Sequence, residues 1–338
     1  MRNVFKIVTV VLSLLTLSSC IKSTSRNSKL TGIPFNNNES GNFNKSNGIG
    51  SQEIPSGMVA IEGGSFTMGQ VQDDIMFDWN TTPKSMHVRS FYMDEAEVTN
   101  AEYLLYVQYT KDVFPPSEEK YKHIYNSVLP DTLVWRKSLG NSDILYENYL
   151  RHSAYVDYPV VGVSWLQANK YCKWRTDVVN LKKLIDKGYI SNIFKNDSIR
   201  NFFDSEVFLA DSDRLFDGDS TVYKRGIRTR GSARNSKSSF QGRKITKADG
   251  VLQRKFRLPT EVEWEYAAKA NIENREYNNI RGRKKYAWKG KYTRETTKRF
   301  KGDQLANFRQ GLGNYSGISG WSSDGSPITI KVKSYPPN

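Results

Sequence analysis

The sequence predicts an α+β protein, on three observations. Two short extended runs, "MVAIE" and "SFTMG", flank Gly63-Gly64. Three later segments each pass from an extended run through a Ser or Thr into a helical apolar period, with Glu or Gln at the third helical position. Hydrophobic residues make up 38% of the 338 and aromatic residues 12%, enough to bury the core of one or two domains.

The first segment is a leader. Arg2 and Lys6 supply positive charge, and Ile7 to Leu17 form an apolar stretch shorter than a membrane-spanning helix requires. Leu17, Ser18, Ser19 and Cys20 then form a bacterial lipobox, so residues 1–19 read as a lipoprotein signal peptide. Cys20 is the expected lipid attachment and mature N-terminus. The net charge of +15 would suggest nucleic acid in a cytosolic protein, but the leader points to the envelope, so no nucleic-acid partner is expected. Cys172 is the only other cysteine, which leaves no intrachain disulfide once Cys20 carries lipid. It falls in a helical apolar pattern and reads as a buried, inert thiol.

Residues 20–54 are dominated by Ser, Asn, Gly and Lys without apolar period, the composition of a disordered polar tether. Such a chain reaches roughly 30 to 35 Å. The folded part is expected over 55–338. It should open with a hairpin, "MVAIE" turning at Gly63-Gly64 into "SFTMG". Residues 88–98 read as extended and end at Thr99, which with Glu102 makes a capping box for a helix presenting Ala101, Leu104, Leu105 and Gln108 along one stripe. "YPVVGVSWLQANKYCKWR" repeats the phrase with Ser164 and Gln167. "FRLPTEVEWEYAAKA" repeats it again. Pro259 stops any upstream helix, Thr260 caps the next, and Glu263 reaches back to the Thr260 amide. Glu261, Glu263 and Glu265 also resemble a carboxylate active site, but capping explains Glu263 because Gln167 holds the same place in the second phrase and cannot act as a carboxylate base.

Residues from 176 to about 250 break this pattern and read as a long basic surface insertion. Between Lys224 and Arg257 stand twelve Lys or Arg and a single acid, Asp249. Arg228, Arg230, Arg234 and Lys237 are the candidate contacts to an acidic partner, against the alternative of a solvated charged face. The last run, "SPITIKVKSYPPN", reads as a strand followed by a turn.

Tests for chemistry find little. His87, His123 and His152 do not stand at metal-ligand spacing, and no C-x-x-C occurs. "DSDRLFDGDS" fails as a calcium loop because Leu215 and Phe216 replace an oxygen ligand and a glycine. No nucleophile elbow, phosphate loop or dinucleotide fingerprint is present. No catalytic residue, metal or cofactor is expected.

In order, "MVAIEGGSFTMG", "FYMDEAEVTNAEY", "YPVVGVSWLQANKYCKWR", "FRLPTEVEWEYAA", "YAWKG" and "VKSYPPN" resemble the formylglycine-generating-enzyme (sulfatase-modifying factor) superfamily. That resemblance covers about residues 57–338 outside the insertion. It implies a compact α+β fold related to C-type lectins, with much irregular structure. The enzymatic members use a C-terminal cysteine pair that binds copper, and related sulfoxide synthases use an iron site with a histidine motif. Neither set matches positions of this sequence. The resemblance therefore implies a truncated or partial domain lacking the C-terminal half of its core, and a non-enzyme.

A narrower resemblance is carried by "VQDDIMFDWNTTP" (71–83), residues 111–140, "NYLRHSAYVDYPVVGV" (148–163), the lipobox and the basic "GSARNSK". It is to gliding-motility lipoproteins of Bacteroidetes. It implies a non-catalytic, lipid-anchored outer-membrane protein, facing the periplasm, that contacts other gliding and type IX secretion components. Peptidoglycan or an acidic surface polymer is a further expected partner. Two alternatives stand beside it: a sulfatase-modifying-factor-type oxidase lacking its catalytic half, and a cell-wall or glycan-binding lipoprotein.

Overall fold

The computed structural model describes residues 54–69, 82–139, 143–191, 203–211, 215, 222, 244–269, 286–288, 292–296, 301–308 and 328–337. Four short strands come first: β1 (Met58–Ile61), β2 (Gly64–Met68), β3 (Lys84–Val88) and β4 (Phe91–Asp94). Helices follow: α1 (Asn100–Val113), α2 (Glu119–Val128), α3 (Val134–Leu139), α4 (Asp143–Asn148), the long α5 (Trp165–Asp186), α6 (Ser205–Ala210) and α7 (Glu261–Lys269). Short 3-10 turns lie at Ser153–Tyr155 and Lys247–Asp249. Among the described residues, no helix is long and apolar enough to cross a membrane.

The expected β1–β2 hairpin does not form. β1 pairs antiparallel with β4, and β2 with β3. Ile61 faces Phe91 and Gly64 faces Val88, three residues further on in each chain, so the register runs unbroken through both pairs. The four strands are thus one long two-stranded ribbon with a break at residues 62–63 and 89–90. Gly63 is there for close approach: a Cβ on it would lie 2.6 Å from both Ser90 N and Val88 O. A Gly-Gly pair reads locally as a turn, but here it lets two backbones touch.

Three apolar clusters fill the described fold. The first lies under the ribbon, where Phe66, Val88 and Tyr266 are buried and α7 packs on β2 and β3. Tyr266 Oη donates to Glu62 O at 2.8 Å across the strand break.

The second is aromatic. Tyr103, Tyr106 and Val107 of α1 meet Tyr171 of α5 and Val128 of α2, with Trp174 alongside. Tyr103 and Tyr171 stack with centroids 5.7 Å apart. The buried Tyr103 hydroxyl donates to Val128 O at 2.9 Å, so it is not left unpaired. The stripe expected on α1 is therefore wrong. Leu105 is 65% exposed and Ala101 and Gln108 face solvent, while the tyrosines one and two positions away turn inward. An aromatic ring buries more area than a leucine, so packing selects the tyrosine face.

The third cluster corrects the expected surface insertion. α5 runs on to Asp186, and its last turns bury Leu181 and Leu184. Ile190, Phe203, Phe208, Val222, Ile245 and Val251 close around them. The described part of 176–250 thus contributes a core of its own. Buried polar residues stitch it to its surroundings. Asn180 Nδ2 donates to Ser205 Oγ and Gln253 O, and Asn180 Oδ1 accepts from Gln253 N at 2.6 Å. Asp177 Oδ1 accepts from Ser205 N at 2.8 Å.

Candidate functional site

All three capping devices take the same local form. At α1, Thr99 Oγ1 accepts from Glu102 N and Glu102 Oε2 accepts from Thr99 N, both at 3.2 Å. At α5, Ser164 N donates to Gln167 Oε1 at 2.8 Å while Gln167 N donates to Ser164 Oγ at 3.3 Å. The Gln167 amide also donates to Ser127 O and Leu129 O, which ties the end of α2 to the start of α5. A glutamate has no proton to give there, so this position suits Gln for a tertiary reason as well as a capping one. At α7, Thr260 N donates to Glu263 Oε2 at 2.9 Å, and Glu263 N donates to Thr260 Oγ1 at 3.3 Å.

Glu263 has a second partner that lies outside the capping pattern. The Arg257 guanidinium grips both its oxygens, at 2.6 and 2.7 Å. That fork is the strong form of a charged pair. Arg257 and the Thr260 donors together hold the Glu263 carboxyl at about 2, well below the ordinary carboxylate range. A carboxylate so held is a poor proton acceptor at neutral pH. Glu265, the neighbour it was grouped with, accepts from Gly69 N at 3.0 Å and pairs with Lys269. The Glu261–Glu265 stretch thus fastens α7 to the ribbon.

Glu263→Gln should keep both capping bonds and lose the fork. Arg257 is half exposed, so the expected cost is modest, about 0.5 to 1 kcal/mol. That exceeds what capping alone implies. The sign of its pH dependence is set by the depressed carboxyl. Its stabilisation is fully present above the ordinary 4.5 and is lost as pH falls through about 2. Thermal melts across that window should show the wild type losing this component and Glu263→Gln showing a flatter acid limb. Identical acid limbs would mean the fork is not formed in solution.

Two further ion pairs, invisible to sequence spacing, join distant segments. Arg175 of α5 grips both oxygens of Asp94 at the end of β4, at 2.7 and 2.8 Å, with its guanidinium 4.6 Å from the centre of the Phe256 ring. Lys173 pairs with Asp204 at 2.8 Å. Asp204 in turn caps α6, accepting from Glu206 N and Val207 N. Cys172 directly precedes Lys173 on α5. It is half-buried rather than buried, and burial pushes its thiol up, which disfavours the nucleophilic thiolate. Burial likewise raises the hydroxyls of Tyr106 and Tyr171 to about 12 and that of Tyr103 further, so these phenols stay protonated.

The histidines have local roles where the contacts are visible. His87 Nδ1 bonds with Ser65 Oγ across the ribbon, and His152 Nδ1 accepts from Ala154 N. Among the described residues, no three His, Cys, Asp or Glu converge as a metal donor set. Cys172, the one thiol among the described residues, does not fit by itself the copper-binding cysteine pair that the resemblance implies for enzymatic members. The turn at 286–288 stacks Tyr286 on Trp288 at 4.8 Å, and Trp288 Nε1 donates to Tyr292 O. Cys20, Arg228, Arg230, Arg234 and Lys237 lie outside the described residues.

With this geometry in place, similarity to known proteins is informative. Residues 46–338 match the Sulfatase-modifying factor enzyme 1-like domain family. Among curated relatives, the formylglycine-generating enzyme of Bos taurus is 27% identical over 36% of this chain and 36% of its own. That of Mus musculus is 33% identical over 35% of each. The serine/threonine-protein kinase pkn1 of Chlamydia pneumoniae is 30% identical over 36% of this chain and 17% of its own. The matches to the two formylglycine-generating enzymes thus span about a third of those relatives' length.

Proposed function

The chain belongs to the Sulfatase-modifying factor enzyme 1-like domain family, and on that footing we propose that it is a non-catalytic, lipid-anchored interaction domain of the bacterial outer membrane. Its place is that of the GldJ group of gliding-motility lipoproteins, among components of the gliding and type IX secretion machinery. The observation that carries this reading is the employment of its best-placed charged groups. Glu263, Asp94 and Asp204 are each held in an ion pair that fastens one segment to another. Their contacts hold the fold together. The lipobox at Leu17–Cys20 and the polar run over 20–54 support an anchored, outward-reaching domain. The basic residues Arg228, Arg230, Arg234 and Lys237 support an acidic contact on the partner.

A second reading has its own support. The similarity to formylglycine-generating enzymes favours the same oxidation of a substrate cysteine in the whole protein. One experiment separates the two. The protein is purified from its own cells at the length they make it and incubated with a cysteine-containing sulfatase-type peptide, copper and oxygen, and the peptide mass is followed. No conversion above the no-protein control is expected; conversion would install the enzymatic reading in place of ours.

The interaction itself is tested by pull-down from envelope extracts at low and high salt. Replacing Arg228, Arg230, Arg234 and Lys237 by Gln should reduce recovery of secretion components at low salt, because exposed charges act over only about 8 to 10 Å at physiological ionic strength. Equal recovery by wild type and variant at both salts would make this stretch a solvated face.

A further inference from the structure

The first described residues form one tight turn that distant segments hold. Pro55 is buried, and Met58 N donates back to Pro55 O at 3.1 Å. Gly57 closes the turn at φ +77°, a conformation costly for any residue with a Cβ. Glu95 N then donates to Gly57 O at 3.1 Å. The guanidinium that grips Asp94 also donates to Ser56 O at 3.4 Å. Glu95 pairs in addition with Lys333. Segments around residues 56, 94, 175, 256 and 333 therefore meet at this turn.

This placement has a mechanical consequence. If residue 20 is held in a membrane, tension on the anchor enters the described residues at Ile54–Pro55. β1 begins three residues later and is held to β4 by four residue pairs. Tension applied at the first pair, Met58 with Asp94, would peel a bare two-stranded ribbon one pair at a time. Here the Gly57–Glu95 and Ser56–Arg175 bonds must yield before peeling starts. Arg175 sits near the middle of the 22-residue α5, which is packed on both the aromatic cluster and the third cluster. The Arg175 and Asp94 side chains are 21% and 32% exposed, so water competes weakly for the pair.

We propose that the Pro55–Met58 turn, with Asp94 and Arg175, is a force-resisting staple that passes tension from the N-terminal tether into α5. The staple rests on the lipid-anchored reading for its use, but its existence can be measured without lipid. The full chain is held at residue 20 and at a C-terminal tag in a single-molecule pulling instrument. The wild type should resist at residues 55–62 until a sharp first rupture. Arg175→Met and Asp94→Asn should each make that first rupture about tenfold faster at fixed load. Lys173→Gln breaks a comparable pair on the same helix but off this path, and should leave the first rupture unchanged. If both staple variants rupture at the wild-type rate, or if the first length gain arises elsewhere in the chain, the staple is overturned. If the staple holds but the cell-made protein carries no lipid, the lipid-anchored reading fails alone.

Discussion

Leu184→Ala is expected to remove about 2 to 5 kcal/mol of folding stability. Leu184 is fully buried in the last turns of α5. Its neighbours Ile190, Phe203, Phe208, Val222, Ile245 and Val251 come from well-separated parts of the sequence, so none can slide in alone to fill the void. The Leu184 carbonyl also receives Tyr189 N at 2.9 Å and Ile190 N at 3.5 Å, which fixes the chain as it leaves the helix. The residual cavity should therefore stay open, and its cost adds to the lost transfer energy. Denaturant unfolding followed by tryptophan fluorescence should show a lower midpoint with an unchanged slope. Leu105→Ala is the control. Leu105 is 65% exposed on α1, and its loss should fall within about 0.5 kcal/mol of zero. Reversed magnitudes would restore the stripe read from the sequence and return the described part of 176–250 to the surface.

That pair of leucines shows where the sequence was legible and where it was not. Capping boxes depend on residues three apart and on backbone geometry they impose themselves, so Thr99, Ser164 and Thr260 were readable without the fold. Partners across the chain were not. Asp94 and Arg175 are 81 residues apart, and nothing in "KYCKWR" names the carboxylate that Arg175 will grip. The ribbon failed for a related reason. "MVAIE" and "SFTMG" do form strands, but their partners begin beyond residue 83, and the pairing depends on a register that only the assembled ribbon specifies. The basic stretch misled by its average. Twelve cations in a short span hide the sparse Ile245 and Val251 that reach the third core one at a time. The acidic cluster was half legible: its capping role followed from Thr260, while the Arg257 fork that lowers Glu263 required the three-dimensional turn around Pro259.

Cys20→Ala is expected to abolish membrane anchoring altogether. If Cys20 carries two or more acyl chains, each buried methylene contributes about 0.8 kcal/mol, which is enough for stable anchoring and very slow release of the intact protein. Without the thiol no chain is attached. Metabolic labelling with an alkyne fatty acid should mark the wild type and leave the variant blank. Fractionation must be done with a salt wash, because the protein carries a net charge of +15. A basic segment near an anionic leaflet gains about 1 kcal/mol per cation, enough to hold an unlipidated chain on membranes at low salt. That attraction is screened at high salt, whereas buried acyl chains are indifferent to it. The expected result is therefore a wild type that pellets with membranes at both salts and a variant that pellets only at low salt. The fold should be unaffected, since residue 20 lies well before Pro55, and melts of the two proteins should coincide. A variant that still takes label, or still pellets through the salt wash, would show that something other than Cys20 holds this domain at the membrane.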